Sequence, residues 1–335
     1  MSPGCARGHS HAESLLILVS ALPGYHQSSF FTERIWVRAP GHLRAGAHGR
    51  GNAEPSRPAG GRGGRRTRSL ESAPGIGKKV ASVASSYVTV GSGDHRVLAV
   101  HGWFGSALGW GSFPGFIDLS AYTYAFMNLR GYGDRKHERG EYTMEEAAGD
   151  VLAAADDLGW ERFSVVGHSM GAKVAHRALL LFPDRIRKLV GLNSVPPGQV
   201  PFDDQEWALF SGAPDHPGNR AAIIDFTTGN KLTKTFINQV VQHSLDNSAV
   251  EAFRAYLQAW AKSDFSGQAK VDPVTPVKLI VGVNDPAMSA DVMEQTWRVF
   301  FPNAELTILP DAGHYPMFES PVSLATSIEE FLGGE

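Results

Sequence analysis

The chain has 335 residues, 31 Lys+Arg against 34 Asp+Glu, 42% hydrophobic residues and one cysteine. The near-neutral total hides a split: residues 1–79 carry 12 basic and 4 acidic side chains, the remainder 19 and 30. An acidic bulk is a poor grip for nucleic acid, a lone Cys5 excludes an intrachain disulfide or Cys-based zinc framework, and no apolar run approaches the ~18 residues that span a bilayer.

Residues 40–68 are rich in Gly, Arg, Pro and Ala, as in Gly60-Gly61-Arg62-Gly63-Gly64-Arg65-Arg66. Such a stretch has little apolar surface to offset its ordering entropy, so 1–79 is expected to be a disordered, non-catalytic basic extension. Residues 15–22 form a short apolar run without a basic cluster before it, a poor secretory signal that leaves export or organelle targeting open. The single cysteine fits a reducing compartment, hence an expected cytoplasmic location. Gly75-Ile76-Gly77-Lys78-Lys79 lacks the Gly spacing and the Ser or Thr of a phosphate loop.

From residue 80 the texture changes. Short apolar runs ended by turns predict strands at 87–90, 96–100, 124–129, 163–166, 187–192, 277–283 and 304–309. Between them lie helical patterns. Thr143 with Glu146 three residues on predicts a capping box, with apolar positions continuing through Leu158. Residues 172–182 predict a second helix, closed by Pro183. Strands alternating with helices imply a mostly parallel sheet covered on both faces. About 80 residues separate the strand ending near Asn193 from the one starting near Val277, far more than a crossover needs. They are helical in pattern and aromatic, so 196–276 is expected to be an inserted helical subdomain, and 80–195 with 277–335 the core. Val250, Phe253, Leu257 and Trp260 fall at helical spacing and predict a stripe that is mostly internal core, with the rest facing a ligand.

The strongest chemical signal is Gly167-His168-Ser169-Met170-Gly171, directly after a strand and before a helix. A nucleophile there sits on a turn too tight for flanking side chains, hence the glycines, and the helix N-terminus points at the reacting centre. The pentapeptide is weak alone in a chain with 37 Gly; its strand–turn–helix context is not. A serine hydroxyl needs a base, and the base an orienting carboxylate. Both follow in order at later strand ends: Asp285 after 277–283 and His314 after 304–309. Asn193 and Ser194, after the preceding strand, offer no carboxylate. Asp311 is a rival acid, but three residues from His314 in one loop it is badly placed to oppose it. The oxyanion of a tetrahedral intermediate needs two donors; the Met170 N–H and the Trp103 N–H are the candidates. The Trp103 ring either walls the pocket or simply packs. His101 is expected to order its loop by hydrogen bonding, and His168 to be structural. No His-Glu-x-x-His or comparable spacing indicates a metal, and the chemistry calls for no cofactor.

At these residues the chain resembles the α/β-hydrolase superfamily, most closely its esterase-like serine hydrolases with a helical cap. The resemblance rests on His101-Gly102-Trp103, Arg130-Gly131-Tyr132-Gly133-Asp134, the Gly167–Gly171 elbow, Asp285, and Gly313-His314 followed by Glu319-Ser320-Pro321. It spans nearly all of 80–335. Asn128 and Arg135 depart from the family pattern at loop-packing positions, and Ala172 replaces a third elbow glycine. The resemblance implies an α/β-hydrolase fold with Ser169, Asp285 and His314 as catalytic triad, Trp103 and Met170 as oxyanion hole, and a small-molecule ester as substrate; the aromatic residues of 196–276 point to an apolar acyl or alkoxy group. It leaves open a lactonase or carbon–carbon bond hydrolase using the same triad, and a non-catalytic receptor on the same fold. A serine nucleophile argues against epoxide hydrolases and haloalkane dehalogenases.

Overall fold

The computed structural model describes residues 86–268 and 274–334; the expectations for 1–79 lie outside them. The sheet has seven strands: β1 (Tyr87–Gly91), β2 (His95–Val100), β3 (Tyr122–Met127), β4 (Phe163–His168), β5 (Ile186–Leu192), β6 (Val277–Gly282) and β7 (Glu305–Leu309). Their order is β1-β3-β2-β4-β5-β6-β7, with β1 antiparallel to β3 and every other pairing parallel. Every residue of β3, β4 and β6 is buried. That explains their continuous apolar runs, because a parallel strand covered on both faces has no polar side. Edge strand β1 exposes Val88 and Thr89 instead.

Helix α1 (Met144–Asp157) packs against α2 (Met170–Leu181) beside the sheet. Four helices fill the interval between β5 and β6: α3 (Asp204–Gly212), α4 (Pro217–Thr227), α5 (Lys234–Asn247) and α6 (Val250–Lys262). Then come α7 (Ala290–Gln295) and α8 (Trp297–Phe300), β7, and finally α9 (Pro316–Glu319) and α10 (Pro321–Gly333). Along α6, Phe253, Leu257 and Trp260 are buried, but Val250 is half exposed at the helix start. Lys173, fully buried on α2, donates to the carbonyls of Gly198, Trp260 and Ser263, so one ammonium ties both ends of the four-helix insertion to the core. Among the described residues no helix is long and apolar enough to cross a membrane.

Three local expectations shift. The third strand runs Tyr122–Met127 rather than 124–129, because Tyr122 and Thr123 pair with His95 and Arg96, while the Leu129 N–H turns to His101 Nε2. The helix expected at 172–182 begins at Met170, directly after the elbow serine. The capping box at Thr143 is only half formed. Thr143 accepts the Glu146 N–H, but the Glu146 carboxylate takes the Tyr142 N–H and leans towards Arg130. A complete box opens α3 instead, between Asp203 and Glu206.

The chain order places the site. After edge strand β1 it enters the sheet at β2, steps outward to β3, then crosses back to β4 on the other side of β2. The register sets Val100 beside Gly167. The loops leaving β2 and β4 therefore diverge from adjacent points at the carboxyl edge, the place where open α/β sheets form a crevice.

Candidate active site

Ser169 stands between β4 and α2 with φ 54° and ψ −115°, a conformation sparsely populated for a residue with a side chain. Neighbouring backbone enforces it. A Cβ on Gly167 would collide with the Gly171 carbonyl and the start of α2, and one on Gly171 with the carbonyls of Val100 and His101. The two flanking glycines are thus required by the close approach of β2, β4 and α2. Ser169 N–H donates to the Leu192 carbonyl at 2.8 Å, and its own carbonyl accepts from Ala172 and Val195. The turn is held on three sides.

His314 and Asp285 meet across the ends of β6 and β7. Nδ1 of His314 lies 2.5 Å from Oδ2 of Asp285. A carboxylate only accepts, so Nδ1 carries the hydrogen of this bond, and the tautomer that suits it leaves Nε2 as the basic nitrogen. Both residues are buried, as is Ser169. Asp285 is held from two more directions. Its Oδ1 accepts the N–H groups of Ala287 and Met288, and its Oδ2 also accepts Asn193 Nδ2–H at 2.8 Å. Asp311, the rival acid, is exposed.

The His314 loop has its own clamp. The Glu319 carboxylate accepts the N–H of Gly313 at 2.8 Å and that of Tyr315 at 2.9 Å, bracketing the histidine. The His314 N–H donates to the carbonyl of Thr227, at the end of α4. Burial pushes the Glu319 carboxyl above the usual range.

The other two histidines here are hydrogen-bonded and neutral. His101 Nδ1–H donates to the Gly102 carbonyl at 2.8 Å, and its Nε2 accepts the Leu129 N–H. Burial presses its pKa down to about 4. His168 Nε2–H donates to the His314 carbonyl at 2.8 Å, with its ring 5.1 Å from that of His314. Burial first, then the neighbouring His314, lower its pKa to about 3.

Met170 opens α2, so its N–H has no acceptor one turn back. Trp103 lies in the loop after β2, where Gly102 packs against Ser169. The Trp103 carbonyl accepts Tyr132 Oη–H at 3.0 Å and the indole N–H donates to the Phe253 carbonyl at 2.7 Å. Among the described residues its backbone N–H meets no acceptor. Asn128 and Arg135 serve the neighbouring loops: Asn128 Oδ1 accepts the Ala107 N–H, and buried Arg135 pairs with Asp150. A cavity of about 210 Å³ adjoins the site, reaching His101, Gly102 and His168. Phe104, Leu108, Phe236, Val240 and Met317 give it an apolar wall. Among the described residues no cluster of three or more His, Cys, Asp or Glu is arranged to hold a metal.

The hydrogen bond of Asn193 to Asp285 has no local signature, since the sequence shows at 193 only the lack of a carboxylate. The role of Glu319 is signalled in the sequence only by its spacing from His314. The Trp103–Phe253 contact spans 150 residues and has no local signature.

A mostly parallel seven-stranded sheet flanked by helices, with a strained serine between a central strand and its helix, defines an α/β-hydrolase fold. The model of the alpha/beta hydrolase family matches residues 97–326, and the chain belongs to that family. A putative esterase/lipase of Haemophilus influenzae is 25% identical over 241 residues, 70% of this chain and 82% of that protein. A 2-hydroxy-6-oxononadienedioate/2-hydroxy-6-oxononatrienedioate hydrolase of Paraburkholderia phymatum is 27% identical, over 74% of this chain and 90% of its own length. The solved structure of an esterase from Exiguobacterium antarcticum superposes with a TM-score of 0.67 at 17% identity, over 74% of this chain and 95% of that one. This last likeness is one of fold.

Proposed function

We propose that the protein is a serine hydrolase that cleaves a carboxylic ester through an acyl-enzyme. The observation that carries this is the His314–Asp285 hydrogen bond of 2.5 Å at the edge of a sheet whose central strand presents Ser169 at positive φ. Ser169 Oγ attacks the ester carbonyl while His314 Nε2 takes the hydroxyl proton. Asp285 holds the imidazole tautomer and offsets the positive charge. The carbonyl oxygen becomes an oxyanion, stabilised by the N–H groups of Met170 and Trp103, each worth about 3 kcal/mol. The intermediate collapses as His314 returns its proton to the leaving alkoxide. Water then attacks the acyl-enzyme with His314 again as base, releasing the acid and restoring Ser169.

The four-helix insertion acts as a cap, and the apolar cavity beside His168 favours an apolar acyl or alkoxy group. A second possibility, hydrolysis of a carbon–carbon bond in a vinylogous diketone by the same three residues, is favoured by the likeness to the dienedioate hydrolase.

The test is labelling of the purified protein and its Ser169→Ala variant with a fluorophosphonate, followed by turnover of esters, lactones, thioesters and a coloured dienoate. Labelling and ester turnover that vanish with Ser169→Ala are expected. An unlabelled, inactive wild type would make the protein a non-catalytic member of its family. Dienoate cleavage with negligible ester turnover would select the carbon–carbon reaction.

A further inference from the structure

Arg220 on α4 is among the largest fully buried side chains of the described chain, with 1% exposure. Its Nε–H donates to the Ala213 carbonyl at 2.9 Å and its Nη1–H to Ser244 Oγ at 2.6 Å. Among the described residues no carboxylate lies within ion-pair distance of it. A buried cation without a counter-charge is costly to keep. An apolar side chain of similar length would fill the same space without that penalty.

The charge has a partner of another kind. The guanidinium carbon sits 3.8 Å from the centre of the Phe253 ring, and the Trp103 indole stacks on that ring at 4.1 Å with the planes 14° apart. Two groups this close to one ring centre cannot share a face, so Phe253 is sandwiched between Arg220 and Trp103. Stacked rings at this distance gain dispersion and apolar burial. A cation over the far face adds a cation–π attraction and holds Phe253 between the two groups. The stack is reinforced by the indole N–H on the Phe253 carbonyl and by Tyr132 Oη–H on the Trp103 carbonyl. It joins α4 and α6 of the insertion to one peptide of the loop after β2.

We propose that Arg220 is a positioning residue of the oxyanion hole: through Phe253 it fixes the Trp103 peptide so that its N–H points at the developing oxyanion. This rests on the serine-hydrolase mechanism proposed above. It makes the insertion part of the catalytic apparatus as well as a wall for substrate. Arg220 touches no substrate; it acts only through Phe253 and Trp103.

The experiment compares wild type, Arg220→Met and Arg220→Lys in the full chain, using a p-nitrophenyl ester for kcat and KM and an alkyl trifluoromethyl ketone as inhibitor. The ketone adds the serine and leaves its own oxygen as an oxyanion in the same hole. Arg220→Met is expected to lower kcat by about tenfold or more, leave KM within about twofold, and weaken the ketone in proportion to kcat. Arg220→Lys, which retains the cation, is expected to recover most of both. If Arg220→Met lowers only the melting temperature, with kcat per titrated active site and ketone affinity unchanged, the residue is merely structural and the proposal is overturned. Should Arg220→Met fail to fold, Phe253→Leu keeps apolar volume but removes the stack. The same selective loss of kcat is expected there, and an unchanged kcat overturns the proposal. A wild type that neither labels with fluorophosphonate nor hydrolyses any ester removes the underlying mechanism and the proposal together. A labelled, active wild type matched by Arg220→Met removes the proposal alone.

Discussion

Asn193 donates its Nδ2–H to the same Asp285 oxygen that faces His314 Nδ1, at 2.8 Å from one side and 2.5 Å from the other. Asn193 itself sits at φ 42°, one of few non-glycine residues at positive φ among the described residues, a region in which asparagine is enriched. Its backbone N–H is anchored on the Ile280 carbonyl of β6. The end of β5 therefore supplies a fixed donor that orients the carboxylate of the neighbouring strand end.

Asn193→Ala removes that charge-assisted hydrogen bond and leaves Asp285 free to turn. A loss of about tenfold in kcat is expected, with little change in KM. Steady-state kinetics check it, and a variant with wild-type kcat would show that Ala287 and Met288 hold Asp285 unaided.

Strain at Ser169 yields the opposite pairing of effects. Ser169→Gly relieves the positive φ and should raise unfolding stability by about 1 kcal/mol while abolishing ester turnover. Urea unfolding of the two proteins at one pH measures the difference. A destabilised glycine variant would mean that the elbow conformation is not strained.

Glu319→Gln tests the clamp on the His314 loop. A carboxylate accepts from both Gly313 and Tyr315, whereas an amide offers one oxygen and turns its NH₂ towards the second donor. One buried N–H is then orphaned, so a stability loss of about 1–3 kcal/mol is expected, with a lower kcat. Unchanged stability would place the two N–H groups on other acceptors.

Acid should destabilise the fold well before the carboxylates titrate. His101 is held near about 4, and His168 and His176 near about 3, each chiefly by burial. Unfolded histidines titrate at about 6.5. Between pH 6.5 and roughly 4 the unfolded chain therefore binds protons that the folded chain refuses, and stability falls with pH by up to about 1.4 kcal/mol per unit for each group. His176 is the cleanest probe, because neither of its ring nitrogens has a hydrogen-bond partner among the described residues. His176→Leu should leave stability at pH 7.5 unchanged or improved and make the urea midpoint less dependent on pH between 4.5 and 6.5. An unaltered pH slope would count against a neutral buried imidazole.

Every proposed site residue lies at or after position 101, so a chain lacking residues 1–75 should keep its kcat and KM on the best ester. Collapse of folding or activity on that deletion would assign the basic segment to the enzyme.

Much of this protein was legible in short stretches. Apolar runs and turns gave the seven strands to within two residues, because a buried parallel strand admits few polar side chains and its ends need turn residues. The elbow was legible for a similar reason: glycine spacing records how closely β2, β4 and α2 approach one another. Glu146 shows where such reading stops. Its spacing from Thr143 satisfied a local rule, but the Tyr142 N–H and Arg130 offered the carboxylate better partners once the chain was folded.

The sequence by itself determined the order of Ser169, Asp285 and His314 after β4, β6 and β7, since that order follows from elements formed by neighbours in the chain. Tertiary structure alone decided that Asp285 reaches His314 while Asp311 stays exposed, that Asn193 and Glu319 brace the pair, and that Arg220 stacks through Phe253 onto Trp103. Those contacts join residues brought together by packing of the sheet edge and the helical insertion, and hydrophobic packing selects its partners by shape in space rather than by distance along the chain.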